Sequence, residues 1–264
     1  MTAALVSAPD RIAATGVSVR YGERVAVQRM DLVIEAGTVH GIIGPAGGGK
    51  TSFLRTLNLM SVELDGAQAD GSIRVGDDEI LSDARVRRDP ALLSQLRRRV
   101  GIVFATPQPL PRSIYENVVY GPRIAGVSDR ATLDAIVERA LRAAHMWEEV
   151  ADRLSLMATR LSGGQQQRLC LARTLATNPR VVLLDEPCSG LDPISTARIE
   201  DTLRTLKSQI TFVLVTNSIY QAERVADRTS FFLMGEHIET AATADLFARP
   251  TRRETRDYLD GRFG

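Results

Sequence analysis

The sequence predicts an α/β fold with a mainly parallel β-sheet, an antiparallel β subdomain near its start and an inserted α-helical subdomain. Three patterns support this prediction. Four runs of branched aliphatic residues have no polar alternation, which is typical of parallel strands buried on both faces. Residues 12–34 alternate more loosely, and residues 128–147 repeat their apolar side chains at helical spacing. The four apolar runs are residues 39–43, 100–104, 181–184 and 212–215.

The antiparallel subdomain is predicted from the apolar side chains that recur between residues 12 and 34, such as Val17, Val19 and Val27. A second strand pair is predicted around residues 72–81, because the preceding segment is rich in turn-forming residues. We expect these strands to cover one side of the fold near its start.

The helical subdomain is predicted from Leu133, Val137 and Leu141, which would share one face of a helix. This helical pattern lies between the second and third apolar runs. An insertion of about residues 106–160 is therefore expected between two strands of the parallel sheet.

Length and composition favour one ordinary globular domain. The 264 residues are 44% hydrophobic and 25% charged, which is enough to bury a substantial core. Residues 1–10 are predicted to form an N-terminal tail and residues 11–264 a single domain without internal repeats. The 33 basic and 32 acidic residues nearly cancel, so no overall field draws the chain to nucleic acid or to an anionic membrane. We therefore expect no nucleic-acid partner.

Two further observations predict a cytoplasmic protein. No run approaches the roughly 20 apolar residues that span a bilayer, and residues 1–11 lack the basic start and apolar centre of a signal peptide. Cys170 and Cys188 are too few for a disulfide framework and too far apart for a zinc site. We expect both cysteines to be reduced and partly buried.

A glycine-rich segment follows the first apolar run and precedes a helix-compatible segment. It matches Gly, four residues, Gly-Lys-Thr, the pattern of a P-loop that cradles phosphates with backbone N–H groups. The sequence therefore predicts a P-loop NTPase core that binds a nucleoside triphosphate and Mg²⁺, with a flexible glycine loop as the alternative. Lys50 would reach the β- and γ-phosphates, and the Thr51 hydroxyl would bind Mg²⁺. The predicted binding residues are Gly44, Pro45, Ala46, Gly47, Gly48, Gly49, Lys50, Thr51 and Ser52.

Two carboxylates follow the third apolar run, at the edge of the sheet where ligands bind in open α/β folds. Asp185 is predicted to hold Mg²⁺, and Glu186 to polarise the attacking water. The alternative is a surface turn that happens to be acidic.

A second helix N-terminus with small residues begins at residues 162–165, which read Ser-Gly-Gly-Gln. Small residues at such a position allow close approach of a phosphate. One nucleotide does not require two cradles from one chain, so we expect a head-to-tail dimer in which this segment closes over the partner's triphosphate. The alternative is an ordinary helix cap by Ser162. The residues that would act on the partner's nucleotide are Ser162, Gly163, Gly164 and Gln165.

Together, Ser-Gly-Gly-Gln at 162–165, Leu-Leu-Asp-Glu-Pro at 183–187 and Ser-Gly-Leu-Asp at 189–192 resemble the signature, Walker B and D-loop motifs of ABC-transporter ATPases. With the P-loop, this resemblance covers nearly the whole chain. Within the family, further segments resemble the phosphate-import ATPase subunit. These segments are residues 96–104, 113–118 and 120–123, together with Asp257, Tyr258 and residues 261–264.

The resemblance implies several further roles. Tyr21 would stack on adenine, although a half-buried strand residue is the alternative. Asp192 would help to form the dimer contact, and residues 106–120 would face an integral-membrane permease. The resemblance thus implies a peripheral protein at the cytoplasmic face of the cell membrane, paired with a second ATPase subunit in a homodimer or heterodimer.

Two positions depart from the family pattern. The glutamine expected after the second core strand is Ala105, and the histidine expected after the fourth is Asn217. Gln108 lies close by in sequence, but Pro107 restricts the chain between them. The predicted catalytic residues are therefore Glu186, Asn217 and Lys50.

The three histidines, His40, His145 and His237, do not replace the missing one by position and are interpreted as structural. An asparagine can donate to a phosphate oxygen but cannot accept a proton. We therefore expect a chain that binds ATP well, hydrolyses it slowly and still completes its partner's site.

Three functions remain open from the sequence. The first is the ATP-driven motor subunit of an importer, with inorganic phosphate as the expected cargo. The second is a soluble ABC ATPase of translation or DNA repair, although such proteins commonly carry tandem cassettes or long coiled-coil insertions. The third is a nucleotide-sensing regulatory subunit with little ATP turnover. The departures from the family pattern at Ala105 and Asn217 are the reason to retain this alternative.

Overall fold

The computed structural model describes residues 8–262, which form two β-sheets surrounded by helices. The strands in this range are β1 (Ile12–Tyr21), β2 (Arg24–Ile34), β3 (Val39–Ile43), β4 (Gln68–Val75), β5 (Asp78–Glu79), β6 (Val100–Val103), β7 (Val181–Asp185), β8 (Thr211–Val215), β9 (Arg228–Leu233) and β10 (Glu236–Ala242). The helices in this range are α1 (Lys50–Thr56), α2 (Met60–Glu63), α3 (Ala84–Arg88), α4 (Pro90–Arg99), α5 (Ile114–Ile124), α6 (Arg130–Ala143), α7 (Trp147–Val150), α8 (Gly163–Leu175), α9 (Pro193–Leu206), α10 (Ile219–Val225), α11 (Thr243–Ala248) and α12 (Arg253–Leu259).

The larger sheet has the strand order β10-β9-β3-β8-β7-β6. All neighbouring pairs are parallel except β9 and β10, which form an antiparallel hairpin at one edge. Every residue of β3, β7 and β8 is buried, as expected for strands with helices on both faces. The predicted α/β fold with a mainly parallel sheet is confirmed. The sheet also contains β9 and β10, two strands that the apolar runs of the sequence do not predict.

The smaller sheet has the order β2-β1-β4-β5 and is antiparallel throughout. Its apolar face joins the main core through fully buried residues such as Ile12, Val27 and Ile73. The Gln28 N–H donates to the Gly235 carbonyl at 2.8 Å and so links β2 to the β9–β10 turn. The predicted antiparallel β subdomain is confirmed, and this link places its edge beside the start of α1.

The helices between β6 and β7 form their own apolar cluster. Its centre contains Ile114 of α5 and Leu133 and Leu141 of α6, which are all nearly or completely buried. Leu169 and Ala172 of α8 belong to the same cluster. Helix α8 therefore joins the inserted helices to the sheet, and the boundaries of the subdomain at residues 106 and 160 stay a prediction.

The chain ends lie partly outside the described residues. Residues 1–7 of the predicted tail do so, as do Phe263 and Gly264 at the end of the phosphate-import resemblance. Asp10 is 6% exposed and pairs with Arg99, so the last part of the predicted tail packs on the domain. The other boundary residue, Arg11, continues directly into β1.

Cys170 and Cys188 are free thiols in the structure. Burial raises the pKa of both, that of Cys188 to about 11, so they are protonated at neutral pH. Within residues 8–262, none of the helices combines the length and the apolar character needed to cross a bilayer.

His40 lies at the centre of the parallel sheet. Its Nε2 is 2.8 Å from Ser230 Oγ, and the Ser230 hydroxyl also contacts Thr240 Oγ1, which lies 2.6 Å from His237 Nε2. Burial, with the nearby charges of Arg228 and His237, lowers the pKa of His40 to about 3. The imidazole is therefore neutral in the folded protein, as the structural interpretation of this histidine requires.

Acid is expected to destabilise the fold through His40. The unfolded chain takes up this proton near pH 6.5 and the folded chain near pH 3, so the stabilisation is complete above pH 6.5 and falls as the pH decreases. Between pH 7 and pH 5 the free energy of unfolding should fall by about 2 kcal/mol from this residue. Urea unfolding of wild type, His40→Gln and the exposed-site control His145→Asn at both pH values measures it. An equal pH dependence in wild type and His40→Gln would contradict this assignment.

Candidate functional site

The predicted P-loop connects β3 to α1, so it lies at the carboxyl edge of the parallel sheet. A Cβ atom on Gly44 would lie 2.0 Å from the Phe232 carbonyl oxygen, and one on Gly49 2.4 Å from the Ala26 carbonyl oxygen. Both glycines also have positive φ angles, of 148° and 92°. The tight turn and the close approach of β2 and β9 therefore require glycine at these two positions.

Lys50, the first residue of α1, is 5% exposed and turns back over the loop. Its Nζ donates to the carbonyl oxygens of Gly44 at 2.7 Å and Pro45 at 2.8 Å. Burial lowers the pKa of Lys50, and the carboxylates of Glu186 and Asp185 partly oppose this shift. The ammonium group is thus held at the loop, within a short side-chain movement of any anion bound there.

Thr51 and Asp185 bring two oxygen atoms together beside the loop. The Thr51 hydroxyl donates to Asp185 Oδ1 at 2.8 Å, and Asp185 Oδ2 lies 3.5 Å from Arg55 Nη2. Hydroxyl and carboxylate oxygens are the ligands that Mg²⁺ prefers, usually together with water and nucleotide phosphates. The donor set of Thr51 and Asp185 therefore fits the predicted Mg²⁺ site.

Glu186 follows β7 in a left-handed backbone conformation, with φ of 49°. Its N–H donates to the Val215 carbonyl at 2.8 Å, so the neighbouring strand β8 holds this turn. The Asn217 side-chain amide donates to Glu186 Oε1 at 2.5 Å. A non-glycine residue in this region is strained by about 1 kcal/mol, and such strain is concentrated at functional sites.

A cavity of about 250 Å³ lies beside the P-loop, and its lining does not include the predicted residues Gly44, Pro45 and Asp185. Tyr21, at the end of β1, and Arg24, at the start of β2, belong to the lining together with the loop. The lining therefore combines an aromatic ring and a guanidinium group with the P-loop. The predicted residues in the lining are Tyr21, Ala46, Gly47, Gly48, Gly49, Lys50, Thr51, Ser52, Glu186 and Asn217.

The segment 162–165 does not line this cavity within the described chain. Ser162 caps helix α8: its hydroxyl accepts from the Gln165 N–H at 3.3 Å, and its N–H donates to Gln165 Oε1 at 3.2 Å. Ser162 and Gly163 are exposed, and a Cβ atom on Gly163 would meet nothing within 4 Å. The N-terminus of α8 is thus exposed and lies outside the cavity beside the chain's own P-loop.

Glu149 of α7 fixes the side chains behind this N-terminus. Gln165 Nε2 donates to Glu149 Oε2 at 2.8 Å, and Arg168, which is 3% exposed, donates to Glu149 Oε1 at 2.8 Å. Arg198 of α9 pairs with the same carboxylate. One acidic residue therefore joins α7, α8 and α9 into a unit that carries the exposed N-terminus.

Asp192 caps the next helix, because its Oδ1 accepts from the Ser195 N–H at 2.9 Å. A Cβ atom on Gly164 would lie 2.1 Å from Ser195 Oγ, so α8 and α9 are in close contact there. Asp192 is exposed, and its Oδ2 would lie 3.4 Å from a Cβ atom on Gly164; its role in a dimer contact stays a prediction.

The two glycines of this segment are expected to respond differently to a methyl group. Gly164→Ala should destabilise the fold by about 1–3 kcal/mol, because the new atom overlaps Ser195. Gly163→Ala is the matched control and should leave the melting temperature close to that of wild type. Thermal unfolding followed by circular dichroism compares them, and equal melting temperatures for all three chains would refute the close contact.

A sequence model of the family described as ABC transporter matches residues 27–189, which is more than half of the chain. The matched segment contains the P-loop, the Ser-Gly-Gly-Gln segment and the acidic pair after β7. The chain belongs to the ABC transporter family. It is an ABC ATPase domain, the part of such transporters that binds and hydrolyses ATP.

Three solved structures are similar to this ATPase domain. A bacterial Atm1-family ABC exporter with ATP bound has a TM-score of 0.78 at 24% identity, over 98% of this chain and 43% of the exporter chain. This ATPase domain therefore spans less than half of the exporter's length. The ATP-binding cassette MJ0796, in a dimeric post-hydrolysis state with ADP and Pi, has a TM-score of 0.74 at 25% identity, over 88% of this chain and 98% of that one. The cbiO1 protein from Clostridium perfringens, part of the ABC transporter complex cbiONQ, has a TM-score of 0.78 at 23% identity, over 97% and 96%.

Several residues of the ATPase site were not indicated by sequence patterns. Arg24 lines the cavity, and Arg55 approaches Asp185, but isolated arginines on a strand and a helix carry no motif. Glu149 acts only through contacts with other elements of the fold. Ala105 and Gln108 lie outside the cavity lining, and the Gln108 carbonyl is held by Arg173 at 3.0 Å. In the described structure, Gln108 therefore does not reach the cavity.

A larger groove of about 830 Å³ lies near the amino ends of β6 and β7. Its wall contains Asp10, which pairs with Arg99 and Arg180. The groove lies at the sheet edge opposite to the P-loop. The smaller cavity is therefore the functional candidate.

Proposed function

We propose that this ATPase domain is the motor subunit of an ABC importer whose own site hydrolyses ATP slowly. The observation that carries the slow-site proposal is the contact between Asn217 and Glu186. The amide donates to one carboxylate oxygen at 2.5 Å, in the position where the family pattern has a histidine. An amide cannot accept a proton, so it holds Glu186 without taking part in proton transfer.

The proposed chemistry follows from the residues around the loop. On nucleotide binding, Lys50 exchanges the carbonyl oxygens of Gly44 and Pro45 for phosphate oxygens, and the loop N–H groups bind the same anion. Thr51 and Asp185 would hold Mg²⁺, whose positive charge would offset the negative charge that develops on the phosphates. Glu186 then orients and polarises the attacking water, and the Tyr21 ring stacks on the base.

A second copy, or a related subunit, would complete each site with the N-terminus of its α8. The exposure of Ser162 and Gly163 and their position outside the chain's own cavity support this dimer. The dimeric state of the similar cassette that carries ADP and Pi also supports it. Asp192 would take part in the same contact, because it caps α9 beside Gly164.

Residues 106–120 would dock on the membrane permease and so place the protein at the cytoplasmic face of the membrane. Tyr120 supports this proposal because it is 42% exposed, and the Arg112 guanidinium lies 5.9 Å from its ring. Phosphate as the cargo rests on the resemblance of residues 96–104, 113–118 and 120–123 to the phosphate-import subunit.

Affinity purification of the tagged chain from detergent-solubilised host membranes tests the importer proposal. We expect a membrane protein with several spanning segments to co-purify with wild type and to be lost with Tyr120→Ala. Tyr220→Ala is the matched control, because Tyr220 is also exposed but lies outside the proposed docking region. Phosphate uptake by vesicles that contain the purified complex then tests the cargo, with sulfate as the competitor.

Two other results would replace the importer proposal. Recovery of ribosomes or nucleic acid would favour a soluble ABC ATPase. Nucleotide-dependent dimerisation without phosphate release would favour a nucleotide-sensing regulator, a function that the Asn217–Glu186 contact also supports.

A further inference from the structure

Gln167 is a buried glutamine on the second turn of α8, with 1% of its surface exposed. Its side-chain Nε2 donates two hydrogen bonds, to the Phe104 carbonyl at 2.8 Å and to the Pro187 carbonyl at 2.9 Å. Phe104 directly follows β6 and precedes Ala105, and Pro187 directly follows Glu186. One amide group therefore ties together the ends of two strands that lead into the ATPase site.

The same helix is attached to β6 at further points. The Thr174 hydroxyl lies 3.4 Å from the Ile102 carbonyl, and a Cβ atom on Gly101 would lie 2.4 Å from the Thr174 methyl group. Arg173 holds the Gln108 carbonyl at 3.0 Å. Helix α8 is therefore bound to β6 and to the chain that follows it.

Burial of the Gln167 side chain leaves one polar atom without a hydrogen bond, which costs folding free energy. Its Oε1 is buried and has no hydrogen-bond partner among the described residues. Buried polar atoms are normally paired, so each exception calls for a reason. Two carbonyl acceptors fix the amide with its nitrogen towards the strand ends, which leaves the oxygen on the unpaired side.

We infer that Gln167 is a positioning residue for ATP hydrolysis. Helix α8 begins at the Ser162 N-terminus, and Gln167 joins this helix to the turn that carries Glu186 and to the segment that begins at Ala105. Any displacement of α8 is thereby transmitted to the backbone of Pro187, next to Glu186, and to the backbone of Phe104, next to Ala105. The inference concerns the ATPase reaction of the family and does not depend on the cargo or on the slow-site proposal.

Ala105 increases the importance of this contact. Its methyl group offers no hydrogen bond, so the segment that starts there has no polar side chain at its first position. The carbonyl of the preceding residue is instead held by Gln167. The placement of this segment relative to Glu186 therefore depends on the helix behind it.

Gln167→Met tests the inference, since methionine keeps the length of the side chain and removes the amide. Gln166→Met is the matched control: the Gln166 amide also donates to backbone carbonyls, those of Leu161 at 2.8 Å and Thr159 at 3.3 Å, but it faces away from the strand ends. Steady-state phosphate release by the full-length chain gives kcat and KM for MgATP. Thermal melting and ATP-dependent dimerisation are measured in parallel.

We expect Gln167→Met to lower kcat about tenfold with KM and dimerisation unchanged, because misplacement of catalytic groups mainly affects the chemical step. The same factor is expected in an Asn217→His background, which separates this result from the slow-site proposal. Gln166→Met should retain the wild-type kcat. Unchanged kcat for Gln167→Met, an equal loss for both variants, or a loss that appears in KM or dimerisation instead of kcat would overturn the inference.

Discussion

Replacing Asn217 with histidine is expected to raise ATP turnover by about 10²-fold, the amount that one well-placed group contributes to the transition state. The amide of Asn217 contacts Glu186 Oε1 at 2.5 Å, so a side chain at this position reaches the carboxylate that we propose polarises the attacking water. Imidazole is longer and can both donate and accept a proton. The expected gain therefore appears in kcat.

Phosphate release by purified wild type, Asn217→His, Ala105→Gln and the double variant measures this effect. The double variant should exceed either single variant but fall short of the product of the two gains, because groups in one site rarely act independently. Glu186→Gln in each background is the control and should abolish turnover. Wild-type turnover at an ordinary transporter rate, with no gain from either substitution, would remove the basis for the slow-site proposal.

Removing the ammonium group of Lys50 is expected to weaken ATP binding by about 10- to 100-fold. Hydrogen bonds to charged groups contribute about 1.5–3 kcal/mol, and each 1.4 kcal/mol is a factor of ten in affinity. Lys50 is buried and held at the loop by the carbonyl oxygens of Gly44 and Pro45, which places it where we propose that the phosphates bind. Methionine of similar length retains the packing and removes the charge.

The composition of the chain supplies the control for this experiment. Its two lysines are Lys50 and Lys207, and Lys207 pairs with Asp227 on the surface, away from the nucleotide cavity. Isothermal titration with ATP should show the loss for Lys50→Met and wild-type affinity for Lys207→Met. Wild-type affinity for Lys50→Met would show that the cavity beside Lys50 does not bind the triphosphate.

The sequence predicts those parts of the fold and site that depend on neighbouring residues. The strands β3, β7 and β8 are uniformly buried, so their apolar runs are visible without the structure. The P-loop is also local, since its glycines, Lys50 and Thr51 follow one another along the chain. These features place the predicted ATP site at the carboxyl edge of the sheet.

Other features depend on contacts between distant residues. In β9, Thr229 and Ser230 interrupt the apolar pattern of the sequence. Both are nevertheless completely buried, because their hydroxyl groups form hydrogen bonds with Thr243 and His40. Gln167 contacts Phe104 and Pro187, which are 63 and 20 positions away in the sequence. The spacing of the signature segment therefore does not reveal its role. Polar side chains satisfied by remote partners are thus what the sequence patterns miss.

The position of the Ser162 N-terminus outside the chain's own cavity has a genetic consequence. In the proposed head-to-tail dimer, a chain with a defective P-loop can still complete its partner's site, and a chain with a defective α8 N-terminus can still bind ATP. When two such inactive chains pair, both defects fall in one composite site and the other site is intact. Co-expression of the two mutant alleles should therefore restore activity that neither allele supports alone.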